Sequence, residues 1–135
     1  MICNTAFNSY RKWYIGNDIR DILLADDAIS GQVGNHIYPI VAAENTIGDF
    51  IVYSRQEYSK GLAKQGVYED TCKVAVVAIS DNYDNAIALA DKIDLALTGT
   101  HILNDKGVKI NILLEDSTET FDDNKYIETL LFSIK

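Results

Sequence analysis

Residues 68–99, YEDTCKVAVVAISDNYDNAIALADKIDLALTG, decide the fold that the sequence predicts. Their first half alternates two sets of mostly apolar side chains, Cys72, Val74, Val76 and Ala78 on one side and Lys73, Ala75, Val77 and Ile79 on the other. Both faces of this extended segment are largely apolar, which is typical of a central strand that is covered on each side.

An amphipathic helix is predicted directly after this strand. Ser80, Asp81 and Asn82 carry side-chain oxygens that accept hydrogen bonds from the free amides at a helix start. Apolar residues then recur at helical spacing, and Gly99 marks the end; the positions are Ala86, Leu89, Ala90, Ile93 and Leu97. The strand and the helix together predict a packed core and contain no group that indicates chemistry.

Length and composition predict one compact domain that spans residues 1–135. Hydrophobic residues make up 47% of the chain and charged residues 24%, which is ordinary globular usage. The net charge of -8 disfavours a nonspecific duplex-DNA binder, because such proteins neutralise phosphates with clustered Lys and Arg. The longest wholly apolar run, residues 74–79, is far shorter than the roughly 20 residues that a membrane helix needs. The N-terminus lacks the apolar core of a secretion signal.

The N-terminal segment, residues 1–15, is rich in aromatic residues. We expect Phe7, Tyr10, Trp13 and Tyr14 to pack on the domain or on a neighbouring subunit, because together they are costly to expose. They are the first part of a candidate interface, and the second part is a hairpin loop from Tyr58 to Gly66, of which Tyr58, Lys60 and Lys64 are the candidate contacts.

The remaining chain predicts an α+β domain. The predicted elements are a helix from Asn17 to Asp27 capped near Asn17 or Asp18, a turn at 30–35, a short edge piece at 36–40, strands at 50–57 and from 68, a connection at 98–107, a strand at 109–114, an acidic turn at 115–124 and a strand at 126–134. We therefore expect a mostly antiparallel sheet of about four main strands, with an N-terminal helix and a central helix packed on one face.

No catalytic, cofactor or metal motif is complete. Residues 61–66 have the glycine spacing of a phosphate loop but lack its Lys and its Ser or Thr. His36 and His101 lie in different connections, and Cys3 and Cys72 are too far apart for a metal knuckle or a redox pair. The acidic residues of 115–123 lack the spacing and central glycine of a calcium loop. No catalytic, cofactor-binding or metal-binding residues are predicted.

The order of several segments resembles a known family. HIYP at 36–39, FIVY at 50–53, the strand at 74–79, DNYDNAIALAD at 81–91 and LTG at 97–99 follow one another as in the small tail completion proteins of long-tailed bacteriophages, the head-tail joining family. The similarity covers roughly residues 18–134, and the order of the motifs carries it more than any single motif.

The resemblance implies a non-enzymatic structural protein of a phage or prophage. Such a protein would be assembled in the bacterial cytoplasm and would lie in the virion, at the head-tail junction. It would form a homo-oligomeric ring, a homohexamer, that caps the tail tube and meets the head connector. Its expected partners are further copies of itself, the tail tube protein and the connector protein, with no membrane, cofactor or sequence-specific nucleic acid.

Two other classes of protein stay open from the residues alone. A small adaptor or scaffold domain has similar sequence patterns, and gene neighbourhood beside capsid and tail genes separates it from the phage interpretation. A small enzyme would require a polar pocket, and its most obvious version would depend on His36 or His101.

Overall fold

The computed structural model describes residues 13–62, 68–103 and 108–135, and it describes residues 57–62, 68–71 and 108 by their backbone alone. Three helices and six strands lie in these ranges: α1 Ile15–Ala25, α2 Asp27–Val33, β1 Ile37–Pro39, β2 Phe50–Leu62, β3 Tyr68–Ser80, α3 Tyr83–Leu97, β4 Gly99–Leu103, β5 Val108–Asp122 and β6 Lys125–Ile134.

One mixed sheet contains all six described strands, in the order β1-β2-β3-β6-β5-β4. Every neighbouring pair is antiparallel except β1 and β2, which are parallel. The α+β class and the mostly antiparallel sheet are therefore confirmed. The four long strands β2, β3, β5 and β6 are the predicted main strands, and the short strands β1 and β4 add the two edges. Pro39 lies in β1, at an edge, where its missing N–H is tolerated.

The central helix α3 forms as its sequence predicts. The Asn82 side chain caps it by accepting a 3.0 Å hydrogen bond from the Asn85 amide. Its buried residues are Ala86, Leu89, Ile93 and Leu97, one per turn along a single stripe. The chain then leaves the helix through Gly99, whose φ of 126° is a conformation that glycine adopts without strain.

All three helices pack on the same face of the sheet. The buried core contains one stripe from each helix together with alternate residues of the strands, namely Cys72, Val74, Val76 and Ala78 of β3 and Leu130, Phe132 and Ile134 of β6. Because side chains alternate across a strand, Lys73, Ala75, Val77 and Ile79 point to the opposite face. The predicted placement of the helices on one face is confirmed.

The acidic turn predicted at 115–124 is wrong. β5 continues through this segment to Asp122 and pairs with β6 up to the partners Asp122 and Lys125. Only Asp123 and Asn124 form the turn, with φ values of 51° and 61°, and two residues of positive φ are typical of a tight hairpin connection. The acidic side chains stay in solvent while the backbone pairs, which is why their charge does not end the strand.

Three other boundaries also differ from the prediction. The connection expected at 98–107 contains β4, which pairs with β5. The turn expected at 30–35 is mostly helix α2, because Asp26 accepts a hydrogen bond from the Ile29 amide and starts a second helix. The first helix begins at Ile15, with no side-chain cap, so the cap expected near Asn17 or Asp18 is wrong.

We predict that the stripe of α3 carries much of the stability. Leu89→Ala should lower the free energy of unfolding by about 2–5 kcal/mol, because it removes a fully buried side chain and leaves a cavity. Leu95→Ala is the matched control on the same helix, since Leu95 is 76% exposed, and it should change stability by less than about 0.5 kcal/mol. Urea unfolding of both variants measures the difference. Equal midpoints would show that α3 does not face the core.

Candidate assembly surfaces

The sheet face opposite the helices is apolar over its centre. The side chains there belong to the four long strands, and the half-buried apolar ones are Val52, Val77, Ile79, Ile127 and Leu131. We call this set the open face, because none of the described helices packs on it. The sequence predicts a strand β3 that is covered on both sides, and in the described part of the chain a helix layer covers only one of them.

Two β-bulges shape the open face. β2 carries one between Arg55 and Glu57, and β5 carries one between Leu114 and Asp116. Between them lies a shallow depression of about 220 Å³, and its lining residues are Gln56, Ala75, Asp116, Ser117, Thr118, Thr129 and Leu131. Bulges bend a strand and increase its local twist, so the sheet curves at this level. The depression has a polar rim on two sides and an apolar floor.

A second apolar surface lies in the connection between β1 and β2. Ile40, Val41 and Ile47 are exposed by 75%, 67% and 83%, and we call the connection that carries them, residues 40–49, the apolar loop. No interface was predicted in this segment from the sequence. The signal was present, since three branched aliphatic side chains in a loop have no core to enter. Several exposed apolar side chains in one short loop make it a candidate interaction surface.

The apolar loop begins with a strained backbone. Ile40 has a φ of 64°, which is unfavourable for a β-branched residue. The Val41 amide donates a 2.6 Å hydrogen bond to the Pro39 carbonyl, closing a three-residue γ-turn around Ile40, and the Ile40 amide donates to the Tyr53 carbonyl. Strain of this kind persists only where the surroundings hold the chain. The turn thus fixes Ile40 and Val41 in exposed positions.

A polar network fixes the other end of the apolar loop. Asp49 accepts hydrogen bonds from the Ser80 hydroxyl at 2.6 Å and from the Gln32 side-chain amide at 2.7 Å. Lys92 donates to the Gln32 side-chain oxygen at 2.8 Å, and Ser80 in turn accepts from the Asn82 amide at 3.0 Å. The network therefore ties the loop to helices α2 and α3. It borders an open cavity of about 310 Å³.

The residues of the predicted interface are only partly described. Trp13 and Tyr14 are exposed, and the Arg55 guanidinium lies 4.7 Å from the centre of the Trp13 ring, a distance typical of a cation–π contact. Phe7, Tyr10 and Lys64 lie outside the described residues. Tyr58 and Lys60 lie in strand β2, which pairs with β3 as far as Leu62 and Tyr68. The loop predicted from Tyr58 therefore begins later than expected. The role of these residues as contacts stays a prediction.

The two histidines do not form a site. His36 precedes β1 and stacks on Tyr38, whereas His101 lies in β4, at the opposite edge of the sheet, with its Nε2 atom 2.7 Å from the Leu97 carbonyl oxygen. Within the described ranges, no group of three or more potential ligands is arranged around a metal position, and no helix is long and apolar enough to cross a membrane. Cys72 is fully buried in the core.

Comparison with solved structures shows what the fold is similar to. No protein-family model and no curated protein matches the chain. A solved chain from the structure titled "Virion of native gene transfer agent (GTA) particle" matches with a TM-score of 0.69 at 16% sequence identity, over 86% of this chain and 89% of that chain. The two chains therefore share a fold over nearly their whole lengths.

We predict that Asp49 is required to hold the apolar loop. Asp49→Ala should cost about 1–3 kcal/mol, because the buried Ser80 hydroxyl and the Gln32 amide lose their acceptor. Gln56→Ala is the control, since it removes only an exposed side-chain hydrogen bond to Ser54 and should change stability by about 0.5 kcal/mol or less. Thermal unfolding measures both. An unchanged Asp49→Ala melting temperature would show that the network does not hold the loop.

Proposed function

We propose that this chain is a non-enzymatic structural component of a phage-like particle. The observation that carries the proposal is the shared fold with a chain of the gene transfer agent virion, which extends over 86% of this chain and 89% of that one. A partial match would fit a common module placed in an unrelated protein. A match over nearly the whole of both chains is a likeness of the entire fold and not of one shared module, so the particle itself is the natural setting.

Within such a particle, we propose the role of a tail completion protein. The segments that carry the resemblance form consecutive elements of the fold. Residues 36–39 contain β1, 50–53 begin β2, 74–79 lie in β3 and 81–91 contain the start of α3. In this role the protein caps the tail tube and joins it to the head connector.

Self-association into a ring is supported by the separate surfaces of the subunit. A closed ring needs two different surfaces on each copy that fit each other. The open face and the apolar loop are two such candidates, and the exposed Trp13 and Tyr14 lie at a third place, before α1. The net charge of -8 also suits a ring around DNA, because a repulsive lumen lets the duplex slide rather than adhere.

The second candidate function is an adaptor or scaffold domain with another partner. The same exposed surfaces favour it, since a subunit that binds an unrelated protein needs an apolar patch just as a ring does. Gene neighbourhood separates the two: capsid and tail genes beside this one favour the virion component, and their absence favours the adaptor.

We predict that the purified protein binds the ends of tail tubes that lack it and adds sixfold density there in electron micrographs. The ring is formed by contacts between copies, so weak association in isolation is compatible with this result, with the tube end acting as a template. A protein that stays monomeric at millimolar concentration and leaves the tubes unchanged would favour the adaptor.

The apolar loop provides a matched pair of variants for the same assay. The double substitution Val41→Gln and Ile47→Gln should abolish binding to the tube ends while leaving the melting temperature unchanged, because both side chains are exposed in the subunit. Leu95→Gln, on the outer side of α3, should keep both binding and stability. Loss of binding in the Leu95 variant alone would place the interface on the helix layer instead.

A further inference from the structure

Glu128 is an acidic residue on the helix-covered face of the central sheet. It alternates along β6 with the buried residues Leu130, Phe132 and Ile134, so its side chain points to the same face as theirs. In β3 it faces Ala78, which is fully buried in the core. A carboxyl at such a position breaks the apolar pattern of the strand, and departures of this kind are expected at sites with a special role.

The residue that faces Glu128 on its other side is also acidic. Glu119 of β5 lies directly opposite in the antiparallel register, where side chains are close neighbours and like charges repel. The Glu128 Oε2 atom is enclosed, and no donor among the described residues reaches it. The Tyr83 hydroxyl donates a 2.8 Å hydrogen bond to Glu119 Oε2. Glu128 Oε2 therefore needs a hydrogen-bond partner. One proton shared between the two carboxyl groups provides it, because a protonated carboxyl donates a hydrogen bond to its neighbour.

Other contacts bring the same hairpin end to the start of α3. Lys125, at the end of the hairpin, donates a 2.6 Å hydrogen bond to Oδ1 of Asp81, the residue before the helix cap. The rings of Tyr83 and Tyr126 meet edge to face with their centres 5.5 Å apart, and the centre of the Phe121 ring lies 4.8 Å from that of Tyr126. The distal part of the β5–β6 hairpin, residues 119–128, is therefore joined to the start of α3 by the Lys125–Asp81 ion pair, the Tyr83–Tyr126 ring contact and the hydrogen bond from Tyr83 to Glu119, while the acidic pair lies between the two strands of the hairpin.

We propose that Glu119 and Glu128 form a proton-dependent latch, which holds the distal parts of β5 and β6 together beside the start of α3 when they share a proton and loosens this end of the hairpin when both are ionised and repel each other. The latch is a property of the subunit itself and does not rest on the proposed function. Its parts are the two carboxyls, the Tyr83 hydroxyl that orients Glu119, and the short contact region between the hairpin and the helix.

The charges around the pair set the pH range of the latch. Burial, then the hydrogen bond with Glu119 and its charge, raise the pKa of Glu128 to about 7. Asp84, in the first turn of α3, adds negative charge, and the Asp81–Lys125 pair is nearly neutral as a unit. The hydrogen bond to Glu119, followed by burial and then the charges of Glu119, Glu128 and Asp84, also raises the pKa of Tyr83, so its hydroxyl remains a donor.

The sign of the pH effect follows from the raised pKa. The folded state binds the proton more tightly than the unfolded state, so the stabilisation is fully present below the ordinary glutamate pKa of 4.5. It is lost as the pH rises through about 7, where the folded pair ionises. The hairpin end is thus held in mildly acidic solution and loosened in mildly alkaline solution.

The test compares amide hydrogen exchange of the hairpin with that of β3 between about pH 5 and about pH 8, corrected for the intrinsic pH dependence of exchange. Protection of residues 119–128 should fall at least roughly tenfold over this range, the factor that one pKa unit corresponds to. Protection of residues 74–78 should not change. Glu128→Gln, which keeps a donor at all pH values, should hold the hairpin protected throughout, and Glu44→Gln, an exposed loop substitution of equal charge change, should behave as the parent.

Carbon-13 NMR of the glutamate carboxyls gives the second readout, which does not depend on hairpin motion. We expect one glutamate to titrate near neutral pH in the parent, and that titration to be absent from Glu128→Gln. The latch would be overturned if all glutamates titrate near their ordinary value. It would equally be overturned if the hairpin loses protection at high pH in Glu128→Gln as it does in the parent.

Discussion

The packing of one helix stripe against one face of the central sheet is the constraint on which the rest of this structure depends. Leu89, Ile93 and Leu97 of α3 are fully buried with alternate residues of β3 and β6, among them Val76 and Phe132. Helix α1 extends the same layer over β1 and β2, and α2 packs against α1 and α3. Because burial of apolar surface is the main favourable term in folding, this two-layer arrangement accounts for the position of every long strand.

A sheet covered by helices on one side leaves its other side for solvent or for a partner. Here the open face keeps Val77, Ile79 and Leu131 only half buried, and the apolar loop holds three aliphatic side chains in solvent. The strained turn at Ile40 and the hydrogen bonds of Asp49 show that this loop is held in place. Exposed apolar groups on a fixed backbone are the feature on which the proposed assembly rests.

The sequence predicted those elements whose signal is local. The alternation in β3, the cap at Asn82 and the helical spacing of α3 each specify structure within a few residues, and all three were confirmed. The distal part of β5 was missed because both of its faces are polar and exposed, so nothing in its periodicity marks a strand. Its conformation is fixed by pairing with β6, a partner that the pattern of the segment itself does not reveal.

The candidate surfaces were harder to predict for a related reason. The sequence of a strand shows the same apolar pattern whether helices of its own chain or another chain cover its faces. The sequence of β3 therefore did not reveal that one face is open. The acidic pair was also hidden, since Glu119 and Glu128 become neighbours only through the register of β5 and β6. The aromatic residues of the N-terminal segment were predicted as an interface from the sequence alone, and two of them, Trp13 and Tyr14, are exposed in the fold.

The claim that the helix-covered face stabilises the subunit while the opposite side makes the assembly is tested most directly by hydrogen exchange of the free protein against the same protein in purified particles. Amides of the apolar loop and of the strands at the open face should become protected in the particle, and those of α3 should exchange as they do in the free subunit. New protection confined to the outer side of α3, with the apolar loop unchanged, would contradict this claim.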